Sequence, residues 1–233
     1  MSNKINYRHL SAEFLIVFVG VAVALAADSW REDLQERGLE NAYLSRIEND
    51  LEIGLGIIER LISQFGTAFE STDILIERLE ENSISGNESL LVEHFTKATR
   101  TGRPGRGLGH GAVYSELLST GRLVVIANPT LRVALSDYYR SLDQLASELD
   151  TLPATPWERY RELTGNEAGH YMQLGQFPEG NAAERLVSEL SSGDLSVRQF
   201  RLLRTRLDLI IGRAERQLSD NLSLLDSVRS EID

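Results

Sequence analysis

Cysteine is absent from all 233 residues, which excludes disulfide frameworks, thiolate catalysis and Cys-ligated metals. Lysine is nearly absent too: Lys4 and Lys97 are the two lysines among 24 basic residues, leaving 22 arginines. A coding bias explains that skew more simply than guanidinium chemistry does. Positive charge is scarce as a whole, 24 basic against 35 acidic residues, for a formal net charge of −11. Nucleic acid is thereby disfavoured as a partner, because phosphate binding needs a concentrated basic surface. Lying flat on an anionic leaflet is disfavoured for the same reason. With only 5 prolines and 7% aromatics against many Leu, Glu, Arg and Ala, the composition leans to helix over sheet. A hydrophobic content of 42% is enough for a real core, and the length fits one domain with a short appendage.

One long apolar run is present. Phe14 to Ala27 (FLIVFVGVAVALAA) holds 14 consecutive apolar residues, and extension back to Leu10 gives 18, interrupted by Glu13. A membrane span needs about 20 mostly apolar residues, and a carboxylate near one end can reach the headgroups. Tyr7 and Trp30 bracket the segment, about 35 Å apart on a helix, where aromatic belts sit on a bilayer. We therefore expect a transmembrane anchor over residues 1–29 and a helical domain over 30–233. Two other readings compete. Lys4 and Arg8, the apolar run and Ala24-Leu25-Ala26 also fit a cleaved signal peptide, and a buried core helix of a soluble protein would carry the same small residues. Within the span, Gly20, Ala24 and Ala27 fall at i, i+4 and i+7. That stripe of small residues would let helix backbones approach closely in lipid, unless an Ala-rich composition scattered them by chance. Flanking charge favours the N-terminus inside: Lys4 and Arg8 precede the span, while Asp28, Glu32, Asp33 and Glu36 crowd its far side beside Arg31 and Arg37.

The remainder reads as helices. Leu44, Ile47, Leu51, Ile58, Leu61 and Phe65 recur at three- and four-residue steps, with Gly54 in the missing core slot. Gly38, Gly54, Gly56 and Gly66 predict bends or breaks in a helix otherwise about 75 Å long. A turn over 82–87 leads to a short helix over 88–100. The Gly-rich stretch 101–109 resembles a phosphate cradle only superficially, since no Walker pattern or preceding strand accompanies it. A helix from Ala112 ends near Gly121. Asn128-Pro129 then opens another with an N-cap and a first-turn proline, and it runs to about Asp150. Trp157–Thr164 is a short helix, and Gly165–Asn181 a loop. Asp194 or Ser196, the latter with Gln199 as a capping box, starts the last helix. Its stripe is Phe200, Leu203, Leu207, Ile210, Ala214, Leu218, Leu225, Val228 and Ile232. The expected fold is all-α, an N-terminal transmembrane helix followed by a long-helix antiparallel bundle.

Two stretches carry a resemblance. One is Ala12-Glu13-Phe14-Leu15-Ile16-Val17, leading through Gly20-Val21 and Ala24 to Asp28-Ser29-Trp30. The other is Tyr114-x-x-Leu117-x-Ser119-Thr120-Gly121-x-Leu123, then Ile126-x-Asn128 and Leu131-Arg132-x-x-Leu135-x-x-Tyr138-Tyr139. Together they resemble a family of uncharacterised bacterial membrane proteins, a domain of unknown function with one N-terminal span and a helical domain. The resemblance covers the first ~60 residues and about 112 to 140, and it implies a bacterial inner (cytoplasmic) membrane address, single-pass, with the helical domain extracytoplasmic. It implies no reaction, substrate or cofactor. Read physically, Gly121 is placed as a left-handed helix stop, Ser119 and Thr120 can bond nearby backbone, and Asn128 restarts the chain. Residues 123–126 would plug the bundle. Arg132 is expected in a structural ion pair, and Tyr138 and Tyr139 at the core edge.

Chemistry-bearing constellations are thin. His94, His110 and His170 are scattered, no HExxH or GxSxG occurs, and Glu40, Asp50 and Glu59 lack the ExxH partners of di-iron bundles. Carboxylates such as Glu48, Asp50, Glu80 and Glu81 read as solvated helix exteriors. The expectation is a non-enzymatic, membrane-anchored protein-interaction or accessory subunit. It would bind no cofactor and no metal, and its partners would be the lipid bilayer and a protein or a second copy of itself. An extracytoplasmic ligand-sensing bundle acting through a partner is the alternative.

Overall fold

The computed structural model describes residues 7–81, 83–100, 108, 111–150, 152, 155–165, 171, 175–192 and 197–232, with side chains, Thr155 apart, from residue 18 onwards. Within them lie seven α-helices: α1 (Tyr7–Glu80), α2 (Glu88–Thr99), α3 (Ala112–Ser119), α4 (Pro129–Leu149), α5 (Thr155–Thr164), α6 (Gly180–Ser192) and α7 (Val197–Ile232). A 3₁₀ turn (Arg122–Val125) joins α3 to α4, and no strand occurs among the described residues. The all-helical expectation holds.

Helix α1 is continuous for 74 residues, about 110 Å. It passes through Gly20, Gly38, Gly54, Gly56 and Gly66 without the expected breaks. Each such glycine costs a helix about 1 kcal/mol, and beyond residue 43 tertiary packing offsets that. Leu44, Ile47, Leu51, Ile58, Leu61, Phe65, Ala68, Thr72 and Leu75 are buried in alternating three- and four-residue steps, with Gly54 in register among them. This is a heptad seam.

Two helices close on that seam. Ion pairs from Arg229 to Glu48 and Glu52, from Arg204 to Asp73 and from Arg201 to Glu80 set α7 antiparallel to α1. Helix α4 is likewise antiparallel to α7, with Asn128 on Glu231, Ser141 on Gln217 and Arg213 on Glu148. Their shared core takes in Leu131, Leu135, Leu142 and Leu145 of α4 and Leu203, Leu207, Ile210 and Ala214 of α7. A second core sits at the far end of α1. There Leu75, Leu91, Val92, Phe95, Tyr160, Leu186, Leu190 and Phe200 pack together, Phe95 edge-on to both Tyr160 and Phe200 at 5.9 Å.

Toward its N-terminus α1 leaves the bundle. Every residue from Phe18 to Leu39 is exposed. Among the described residues no helix is long and apolar enough to cross a membrane. The apolar run Phe14–Ala27 begins with four residues whose side chains lie outside the described set. The capping positions Asp194 and Ser196 lie outside it as well, as does all of the Gly-rich stretch 101–109 except Leu108, which is buried in the three-helix core.

Candidate functional site

The motif around residues 114–139 forms the bundle's end nearest the bare helix. Thr120 and Ser119 hydroxyls donate to the Glu116 carbonyl at 2.7 and 3.1 Å, satisfying the end of α3. Gly121 follows at φ +68°, the left-handed stop its sequence position predicts. The Asn128 side chain accepts from the backbone N–H groups of Thr130 and Leu131, capping α4 ahead of Pro129. Ile126 is buried and Leu123 and Val125 partly so, but Val124 is 74% exposed and plugs nothing. Among the described residues Arg132 does not make the expected ion pair; its guanidinium instead donates to the Ile126 and Ala127 carbonyls, which the turn into α4 leaves short of partners.

Three carboxylates tie this end together, among them Asp50, which the sequence assigned to solvent. Asp50 accepts the Val113 N–H at 3.2 Å, so α1 supplies the N-terminal cap of α3. Glu40 accepts the Ala127 N–H at 2.6 Å. Glu116 receives Arg46 at 2.6 Å and the Tyr43 hydroxyl at 3.2 Å. The Arg46 guanidinium holds the Glu116 carboxyl below the ordinary glutamate range. An acceptor aimed at another helix's backbone has no one-dimensional signature, so these roles were not legible.

Behind the motif lies a tyrosine cluster. Tyr114 stacks on Tyr139 at 4.3 Å, and Tyr138 meets Tyr139 edge-on at 5.1 Å. Burial pushes both the Tyr138 and Tyr139 phenols up. They sit inside the core, not at its edge as expected. Beside them is a polar layer. Asn221 donates to the Tyr138 hydroxyl oxygen at 2.6 Å and to the Leu51 carbonyl at 3.2 Å. Gln217 donates to the Tyr138 carbonyl and accepts from Ser141. Gly54 lies beside this layer: a Cβ there would meet the Asn221 amide at 3.4 Å and the Tyr138 oxygen at 3.5 Å, ordinary contact distances.

Gly20, Ala24 and Ala27 sit on the bare part of α1, all exposed, and no other element reaches them among the described residues. His94 is half-buried on α2, where burial pulls its pKa down, and its Nδ1 has no partner among the described residues. His110 and His170 lie outside those residues. Among the described residues no group of three His, Asp or Glu side chains is placed to hold a metal ion.

One concavity among the described residues was not announced by the sequence. Between α2 and α6, on the second core, a cleft of about 690 Å³ has a floor of Val92, Pro178, Ala183 and Val187 and a wall of Phe177. Its rim carries Glu88, Glu93, Glu179 and Glu184. Lys97 pairs with Glu93 at 2.5 Å and lies 5.8 Å from the Phe177 ring centre. The three other rim carboxylates make no ion pair among the described residues.

No family model matches the chain, and no curated protein or solved structure matches it either.

Proposed function

We propose that this protein is a single-pass anchor protein of a bacterial inner membrane, its N-terminus inside, whose helical domain serves extracytoplasmically as a non-enzymatic protein-interaction or accessory subunit. The observation that carries the reading is the bare start of α1. Phe18, Val23 and Leu25 are 65%, 62% and 67% exposed. With Val19, Gly20, Val21, Ala22, Ala24, Ala26 and Ala27 they make a helix that is apolar on every side. Such a helix requires a lipid or protein surround, because isolated apolar surface on this scale is not stable in water. Trp30, also exposed, sits where an interfacial anchor belongs.

The accessory role draws support from how the polar groups are used. Asp50, Glu40, Glu48 and Glu116 each cap a backbone or pair with an arginine that joins two elements. The polar layer of Tyr138, Gln217 and Asn221 joins α4 and α7 to each other and to the Leu51 carbonyl of α1 inside the seam. The ligand-sensing alternative has one observation in its favour, the α2–α6 cleft. The test is fractionation of the full chain: it should pellet with membranes and resist alkaline carbonate. Recovery of a soluble species beginning at Ala27 would replace anchoring with secretion.

A further inference from the structure

We propose that the α2–α6 cleft seats a basic amphipathic segment, about two helical turns long, of a protein partner. This names the partner's chemistry within the interaction reading above and rests on that reading.

Three features of the cleft converge on such an occupant. Its floor is apolar, so the occupant must present apolar side chains. Val92 and Pro178 are buried, Ala183 and Val187 half-buried, and Phe177 stands at the edge. Its rim is acidic: among the described residues Glu93 alone of four carboxylates is paired with a cation, Lys97, while Glu88, which accepts the Gly86 N–H, Glu179 and Glu184 are exposed. An acidic peptide or an anionic lipid surface would be repelled there. A segment with an apolar stripe flanked by Arg or Lys answers the floor and the rim together. The length also fits. The α6 lining runs from Gly180 to Ser188, about 12 Å or two turns of helix. That matches anchors at i, i+3 or i+4, and i+7. Finally, the cleft belongs to the core at the end of α1 remote from Trp30. It lies about 60 Å of helix beyond Glu40, so the anchor would hold it well clear of the bilayer.

The test uses the full chain in nanodiscs of zwitterionic lipid. The probe is a fluorescein-labelled peptide of about ten residues with leucines at i, i+3, i+4 and i+7 and arginines elsewhere. A scrambled isomer and a version with glutamate in place of arginine accompany it. Two variants at exposed positions leave the cores untouched: Glu179→Lys with Glu184→Lys on the rim, and Ser188→Trp to fill the trough. Unchanged thermal melts verify that both fold. The patterned basic peptide should bind saturably, and each variant should weaken it about five- to tenfold, the effect of one or two exposed ion pairs or a blocked contact. Equal affinity across the variants, or equal binding of either control peptide, would overturn the proposal. So would displacement by dodecyltrimethylammonium at submicellar concentration, which would make the cleft a site for a small cationic amphiphile. A photocrosslinking residue at Ser188, with another at exposed Leu222 on α7, separates the two readings in native membranes. An adduct at Ser188 whose sequenced segment is basic and amphipathic supports the cleft. Adducts at Leu222 alone sink the cleft and keep the interaction role. Adducts at neither position sink both.

Discussion

The Asn221 amide and the Tyr138 hydroxyl meet at 2.6 Å in the middle of the α4–α7 seam, one core step from Gln217 and flanked beyond it by apolar layers. The same amide reaches the Leu51 carbonyl, so one side chain touches all three long helices. Buried polar residues at heptad core positions fix register at some cost in stability. Here a slide of α4 or α7 by one turn would strand the Tyr138 hydroxyl, and a slide of α1 would break the Asn221 bond to the Leu51 carbonyl. Asn221→Ala should therefore destabilise the domain by about 1–3 kcal/mol in chemical denaturation, from a lost partner and a small cavity. Tyr138→Phe combined with Asn221→Leu should recover much of that loss, giving a coupling of about 0.5–3 kcal/mol. Strict additivity of the two substitutions would mean that the pair is not coupled.

This layer also marks the limit of what the sequence discloses. The last helix's stripe is visible in its apolar residues, and Phe200, Leu203, Leu207, Ile210 and Ala214 are buried as expected. After Ala214 an apolar-only reading steps to Leu218, which is only half-buried, and misses Gln217 and Asn221. Counting heptads strictly finds both, since 214, 217, 221, 224 and 228 continue the alternation without a break. Helix α6 escapes notice for a different reason. Ala183, Leu186, Val187 and Leu190 have helical spacing, but the turn-rich residues before them pull the reading towards loop. The cleft stays hidden with it, because its two walls are far apart in the chain and meet only through the second core.

Gly111 and Gly66 should respond to alanine in opposite ways. A Cβ on Gly111 would stand 2.2 Å from the Tyr139 hydroxyl oxygen and 2.5 Å from the ring carbon bearing it. That ring is held by Tyr114 and Tyr138 and has nowhere to go. Gly111→Ala should cost about 1–3 kcal/mol through overpacking. Gly66 lies in mid-helix, and a Cβ added there would meet no atom within 4 Å. Gly66→Ala should therefore stabilise by roughly 0.5–1 kcal/mol through helix propensity. Thermal melts of the two variants decide it, and a neutral Gly111→Ala would mean that the tyrosine cluster is loosely packed.

Acid should loosen the α1–α3 junction. Arg46 and the Tyr43 hydroxyl favour the ionised Glu116 carboxyl, so its pKa in the folded state lies below the unfolded value. A depressed carboxylate contributes stability in full above the ordinary glutamate pKa of about 4.3, and that contribution disappears as pH falls through the folded value. Glu116→Gln should therefore lower Tm at pH 7, and the gap to the parent protein should narrow as pH falls below the ordinary glutamate pKa. A gap that persists unchanged in acid would assign the effect to shape instead of charge.

Arg159 and Glu189 offer a way to ask whether the two cores melt as one. The guanidinium holds the carboxylate through two contacts, Nε to Oε1 at 2.9 Å and Nη2 to Oε2 at 2.7 Å, and so clamps α5 to α6. Glu189 is only 7% exposed, which makes it dependent on this partner. Arg159→Ala strands a nearly buried carboxylate, and Arg159→Lys keeps the charge but loses the fork. Trp157 packs against the second core beside Tyr160, whereas Trp30 lies exposed on the bare helix. In a Trp30→Phe background, tryptophan fluorescence therefore follows the second core alone, while far-UV circular dichroism follows mainly α1, α4 and α7. Arg159→Ala should bring the fluorescence midpoint down more than the circular dichroism midpoint, with Arg159→Lys in between. Since α6 forms one wall of the cleft, the same variant should also weaken the basic peptide. Coincident midpoints that shift together would instead make α1 a rigid coupler, through which a disturbance in the far core is felt along the whole three-helix seam.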